Sequence, residues 1–148
     1  MGNSYISLYV HAVFRTKDSQ PFLRPDVREQ LYPYLGGIAR AGKMKSLAIG
    51  GVADHVHMLL SLPADVSVSS AMQTLKTASS RWIHETFPRL SVFAWQEGYG
   101  AFSIGVSQVD TTKAYIASQA EHHRQTTFMD EYKVFLEKHG IPYENQYL

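Results

Sequence analysis

Cysteine is absent from the chain, which excludes disulfides and thiolate metal ligands. No apolar run approaches the ~20 residues a membrane helix needs. The opening Met1–Val10 has no basic start, and its apolar residues alternate with polar ones, so it does not read as a secretory signal. Ile6 stands where a myristoylation pattern requires Ser or Thr. A cytoplasmic location is the default expectation. Charge of one sign is also lacking: the formal net charge is +1, so composition does not announce a nucleic-acid binder. The distribution says more. From Arg15 to Lys45 there are seven basic residues against Asp18, Asp26 and Glu29, whereas from Glu121 onward three basic residues face five acidic ones. A basic N-terminal half suits phosphates, and an ordinary solvated surface is the open alternative. There is no repeat, linker or low-complexity stretch. With 148 residues, 45% of them hydrophobic, the expectation is one domain spanning 1–148 with a real core.

Ile6, Leu8, Val10, Ala12 and Phe14 alternate with Tyr5, Ser7, Tyr9, His11 and Arg15, the period of a strand with one apolar and one polar face. Residues 25–41 read as a helix opened by Pro25 with a stripe of Val27, Leu31, Leu35 and Ile38, although Pro33 and Gly36-Gly37 predict a kink. Lys43 to Gly50 predicts a strand. In the run from Asp54 to Leu62, Val56, Met58, Leu60 and Leu62 share one face, and His55, His57, Leu59 and Ser61 share the other. The strongest helix covers 67–87, with Ser67 as cap and Pro88 as stop. Phe102, Ile104 and Val106 suggest a further strand, Asp110 can cap a helix over 111–124, and a last helix covers about 129–139. The order β-α-β-β-α-β followed by two helices predicts an α+β, ferredoxin-like (split βαβ) antiparallel sheet with helices on one face. The other face, carrying Tyr9, His11, Arg15, His55 and His57, is then left free of the core.

His55-Val56-His57 is the first candidate site. A strand puts i and i+2 on one face, about 6–7 Å apart at the backbone, so two imidazoles can converge on one metal ion. Taken alone, H-x-H is a weak motif, and two surface histidines at this spacing are the alternative. Tyr115 and Gln119 project from neighbouring points of a predicted helix. A tyrosine with a reference pKa near ~10 needs help to attack, and an amide oxygen is acceptable to Mg or Mn. By itself this pair equally describes a packing tyrosine.

The combination resembles the single-tyrosine HUH transposases of small insertion sequences, the IS200-like family with its REP-associated tyrosine transposases. The matching text is HAVFRTKDSQPFL at 11–23, GGVADHVHMLLSLP at 50–63, LKTASSRWI at 75–83, WQEGYGAFSIGVS at 95–107 and YIASQAEHH at 115–123. The Gly140-Ile-Pro-Tyr tail also fits. The resemblance implies that His55 and His57 bind a divalent metal, usually Mg or Mn, and that Gln119 is the third protein ligand. Tyr115 is then the nucleophile. It displaces a 3′-hydroxyl of single-stranded DNA with hairpin (subterminal palindrome) ends and becomes joined to the 5′-phosphate. A second 3′-hydroxyl can later rejoin the strand without ATP. Family members are typically homodimers, in which the tyrosine helix of one subunit can serve the histidines of the other.

Weaker candidates for DNA contact are His11, Arg15, Lys17, Lys76 and Arg81. For His11, beside the predicted His55 strand, a substrate or supporting contact is favoured over a fourth ligand. His122 and His123 follow Gln119 on its side of the helix and fit either support of the site or capping. Tyr9, Tyr99 and Trp95 can stack on bases, with the core the better place for Trp95. Two other functions stay open: a non-catalytic DNA-hairpin-binding protein on the same scaffold, and a zinc hydrolase using H-x-H. The second leaves Tyr115 unexplained and has no base near the motif other than Asp54.

Overall fold

The alternating stretch at the start of the chain folds as strand β1 (Tyr9–Arg15), and it takes the centre of a sheet because both its edges find partners. Those partners are β3 (His55–Ser61) and β4 (Gly100–Ile104), and β2 (Lys45–Val52) adds to the outer edge of β3. All pairings are antiparallel, in the order β2-β3-β1-β4. This computed structural model describes residues 2–148. The predicted α+β, ferredoxin-like order is the one observed.

Helices α1 (Pro25–Ala41) and α2 (Val68–Thr86) lie on one face. Their apolar stripes meet Ala12 and Phe14 of β1 and Val56, Met58 and Leu60 of β3 in the main core. Pro25 opens α1, and Pro33 and the glycine pair lie within one continuous helix. Ser67 caps α2, its hydroxyl accepting from the Ser70 N–H at 3.1 Å. No helix among the described residues is long and apolar enough to cross a membrane.

Four expectations are corrected. Ile6 and Leu8 continue the alternation but stand exposed at 48% and 46%, because neither flanking strand extends past Tyr9. Val106 is exposed in a 3-10 turn rather than in β4. The helix expected over 111–124 is two pieces, α3 (Val109–Ala117) and α4 (Gln119–His122). They part at Ser118, whose hydroxyl donates to the Tyr115 carbonyl and competes with the helical ladder. Finally, the second face of the sheet is not free. Helices α3, α4 and α5 (Phe128–Lys138) cover it, and Phe128 and Leu136 form a smaller core with Val13 and Phe102. Strand β3 is therefore sandwiched, which is why six of its seven residues are buried, both histidines among them.

The close seating of α3 depends on Gly50. It pairs with His57 in the sheet. A β-carbon there would lie 2.3 Å from the Ile116 carbonyl oxygen, so only glycine lets the helix carrying Tyr115 descend onto the strand.

Candidate active site

The alternation of β3 turns His55 and His57 to the covered face, and both are fully buried at 0% exposure. Each ring is held from behind. Asp54 Oδ1 is 2.7 Å from His55 Nδ1, and His11 Nε2 is 2.8 Å from His57 Nδ1. These contacts leave the two Nε2 atoms facing a common point, as histidine ligands of a metal are commonly oriented. Gln119 places its Oε1 3.1 Å from His55 Nε2.

Two residues that the sequence did not mark as ligands complete the cluster. Glu131, on the first turn of α5, brings its Oε1 to 3.1 Å from His57 Nε2, 3.1 Å from His123 Nε2 and 3.4 Å from His55 Nε2. The ligand atoms of His55, His57, His123 and Glu131 all lie within 4.8 Å of one another. Tyr115, partly exposed, donates its hydroxyl to Glu131 Oε2, and His122 Nε2 lies 3.4 Å from the same hydroxyl. Nothing in the 129–139 pattern distinguishes Glu131 from its acidic neighbours Asp130 and Glu137. His123 carried only its place one turn after Gln119.

The electrostatics follow from burial among carboxylates. Burial alone would lower the pKa of His55, but the Asp54 and Glu131 carboxylates outweigh it and push it up to about 9. Burial and the neighbouring His57 hold His11 down to about 3, so it stays neutral. Burial would raise Glu131, yet hydrogen bonds from His55 and His57 keep it well below the usual carboxylate range. Burial and the Glu131 charge push the Tyr115 hydroxyl well above its ordinary value. The donor set is nitrogen and oxygen, converging and oriented from behind, and it fits a divalent metal.

Of the candidate DNA contacts, His11 belongs to this cluster, whereas Lys76 and Arg81 lie elsewhere. His11 is 3% exposed and is committed to His57. Arg15 reaches Ser19 Oγ at 2.9 Å and the Leu148 carbonyl at 2.6 Å. Lys76 donates to the carbonyls of Gln96 and Gly98. Arg81 pairs with Glu85. Both sit on α2, across the sheet from Tyr115, along a shallow groove of about 480 Å³ with Trp95. Trp95 packs on Phe14 and Phe93 at the core edge. Lys17 is exposed in the 3-10 turn after β1.

The histidine pair thus lies on an inner strand of a four-stranded antiparallel sheet, under the helix that carries Tyr115. The family model described as "Transposase IS200 like" matches residues 4–119, and the chain belongs to that family. It is 29% identical over 119 residues to the transposase for insertion sequence element IS200 of Salmonella typhimurium, covering 77% of this chain and 78% of that one. It is 27% identical over 95 residues to the ISDra2 transposase TnpA of Deinococcus radiodurans, covering 64% and 68%. Among solved structures, a Deinococcus radiodurans R1 protein described as a transposase superposes with a TM-score of 0.66 at 24% identity, over 80% of this chain and 96% of that one. A REP-associated tyrosine transposase bound to a REP hairpin gives 0.62 at 16% identity, over 83% and 73%. These two likenesses bear on the fold. His123 and Glu131 lie beyond the segment that the family model matches.

Proposed function

We propose that this transposase cuts and rejoins single-stranded DNA with hairpin ends through a 5′-phosphotyrosine on Tyr115, using a divalent metal, Mg or Mn, held by His55 and His57 with Gln119. The observation that carries this reading is the meeting of the Tyr115 hydroxyl with the two β3 histidines on one buried carboxylate, within one chain. A nucleophile, its proton acceptor and a set of metal donors then lie within hydrogen-bond reach of each other, as covalent catalysis requires.

A cation bound there would polarise the scissile phosphate and offset its charge. The rest is the work of this chain. Because burial and Glu131 disfavour the phenolate, the Tyr115 proton leaves as the bond forms, and Glu131 Oε2 already accepts it in a hydrogen bond. The Tyr115 Oη–P bond forms, the P–O3′ bond breaks, and the 3′-oxygen takes up a proton. His122, beside the tyrosine hydroxyl and only partly covered, is placed to supply it. The reverse displacement by another 3′-hydroxyl restores Tyr115. Gly50 and Ile116 set the height of the tyrosine above the histidines. Exposed Lys17 and Arg81 are the proposed phosphate contacts. The family pattern adds a homodimer, although a tyrosine acting within its own chain completes this site without one.

Purified protein incubated with Mn²⁺ and hairpin-ended single-stranded DNA is expected to form an adduct that survives denaturing electrophoresis. The adduct should vanish in EDTA. A protein that binds the hairpin tightly and never forms the adduct is instead a non-catalytic hairpin binder.

A further inference from the structure

We infer that Glu131 and His123 are ligands of the same metal, so that the centre is built from three imidazoles and one carboxylate with Gln119 at its edge. The inference rests on the reading of His55 and His57 as metal ligands.

The spacing is the first argument. Donors bound to one ion at ~2.1 Å lie about 3.0 Å apart along an octahedral edge and about 3.4 Å along a tetrahedral one. Glu131 Oε1 lies 3.1, 3.1 and 3.4 Å from the Nε2 atoms of His57, His123 and His55. These separations suit atoms sharing an ion as well as hydrogen-bonded pairs, and the orientation of the rings decides between the two.

The second argument is ring orientation. His123 Nδ1 donates to the Thr126 carbonyl at 2.6 Å. It is thereby the third imidazole whose far nitrogen is tied outward, after His55 on Asp54 and His57 on His11. A backbone acceptor fixes the tautomer, so the lone pair stays on the Nε2 that faces the cluster.

The third argument is the burial of the carboxylate. The Glu131 side chain is 2% exposed, and among the described residues no Lys or Arg pairs with it. Its surroundings are imidazoles, the Tyr115 hydroxyl and the Gln119 amide. A buried carboxylate needs a compensating positive charge; without metal His55 beside it supplies that charge, and a bound divalent ion would take its place. The Thr127 hydroxyl caps α5 by accepting from the Asp130 N–H at 3.2 Å, which fixes the turn that carries Glu131. With Oε1 on the metal, Oε2 still holds the Tyr115 hydroxyl, so the same residue positions the nucleophile beside the ion. An imidazole-rich set with one carboxylate also moves preference away from Mg²⁺ toward Mn²⁺ and later metals.

The test is calorimetric titration of the full chain with MnCl₂, together with electron spin-echo modulation of the bound Mn²⁺ to count coordinated imidazole nitrogens. The wild type should bind one Mn²⁺ with three imidazoles, and His123→Ala should retain two. Loss of an outer-shell partner alone costs about 10–100-fold in affinity, so Glu131→Gln and His123→Ala should each weaken binding by roughly 100-fold. Two imidazoles in the wild type would overturn the inference without recourse to any variant. So would a Glu131→Gln protein that binds Mn²⁺ as tightly as wild type, making the carboxylate a plug in the metal's place. If His57→Ala loses Mn²⁺ while Glu131→Gln and His123→Ala keep it, this inference fails and the histidine-pair reading stands. If the wild type binds no Mn²⁺, both fail.

Discussion

Replacing Gly50 by alanine tests how closely the tyrosine must sit over the histidines. The added methyl would meet the Ile116 carbonyl oxygen at 2.3 Å and its carbonyl carbon at 3.1 Å. Both are backbone atoms of α3, so no side chain can swing aside. Restoring an ordinary contact needs a displacement of about 1 Å, shared between β2 and the helix that carries Tyr115. A misplacement of that size at a reacting group costs about 10²-fold in rate. Overpacking of this kind costs ~1–3 kcal/mol in stability, or a fall in Tm of a few degrees per kcal/mol for a domain of this size. The assay is single-turnover adduct formation on a hairpin-ended oligonucleotide, with binding followed separately by anisotropy and Tm by circular dichroism. The expected pattern is a rate about 100-fold lower, hairpin binding within about threefold of wild type, and a modestly lower Tm. A Gly50→Ala protein that cleaves at the wild-type rate would refute the claim that this contact sets the height of the tyrosine.

Other expectations follow from the same geometry. Without metal, His55 has its pKa raised from 6.5 to about 9, so the stability it contributes is fully present below pH ~6.5 and is lost as pH rises through about 9. In EDTA, thermal melts should therefore fall between pH 6.5 and 9, by an amount on the order of 2–3 kcal/mol, and a flat or rising Tm across that window would contradict the assignment. The Tyr32 hydroxyl is buried with no hydrogen-bond partner among the described residues, and burial pushes its pKa up to about 12. Tyr32→Phe should thus be neutral or raise stability by up to ~1 kcal/mol in urea denaturation, whereas a clear loss would reveal a partner. His11→Ala should leave His57 unsupported and lower Mn²⁺ affinity by about 10–100-fold without weakening hairpin binding. If hairpin affinity alone fell, His11 would be a DNA contact after all.

How much of this was legible in the sequence depends on how local the signal was. The strand alternation of β3 placed His55 and His57 on one face, and the pattern of residues 25–41 gave α1 its observed bounds. The first rests on period alone, and the second on period together with the opening Pro25. Where the alternation of β1 begins was not legible, since Ile6 and Leu8 keep the period but have no strand beside them. Nor was the covering of the second sheet face. Phe128, Tyr132, Phe135 and Leu136 read as an amphipathic helix, and nothing in that pattern says which surface the helix meets. Glu131 was hidden for the same reason: a lone glutamate on such a helix looks like solvated surface until α5 folds back and buries it against β3. The break at Ser118 comes from one side-chain hydrogen bond, too small a signal against an otherwise continuous helical stretch.

The central claim is that Tyr115 becomes joined to DNA, and mapping the adduct by peptide mass spectrometry tests it most directly. Protein incubated with Mn²⁺ and a hairpin-ended single strand should yield one modified tryptic peptide, with the 5′-phosphate of the downstream fragment on Tyr115. The Tyr115→Phe protein should yield none. A nucleotide found on any other residue, or an undiminished adduct in Tyr115→Phe, would contradict the account.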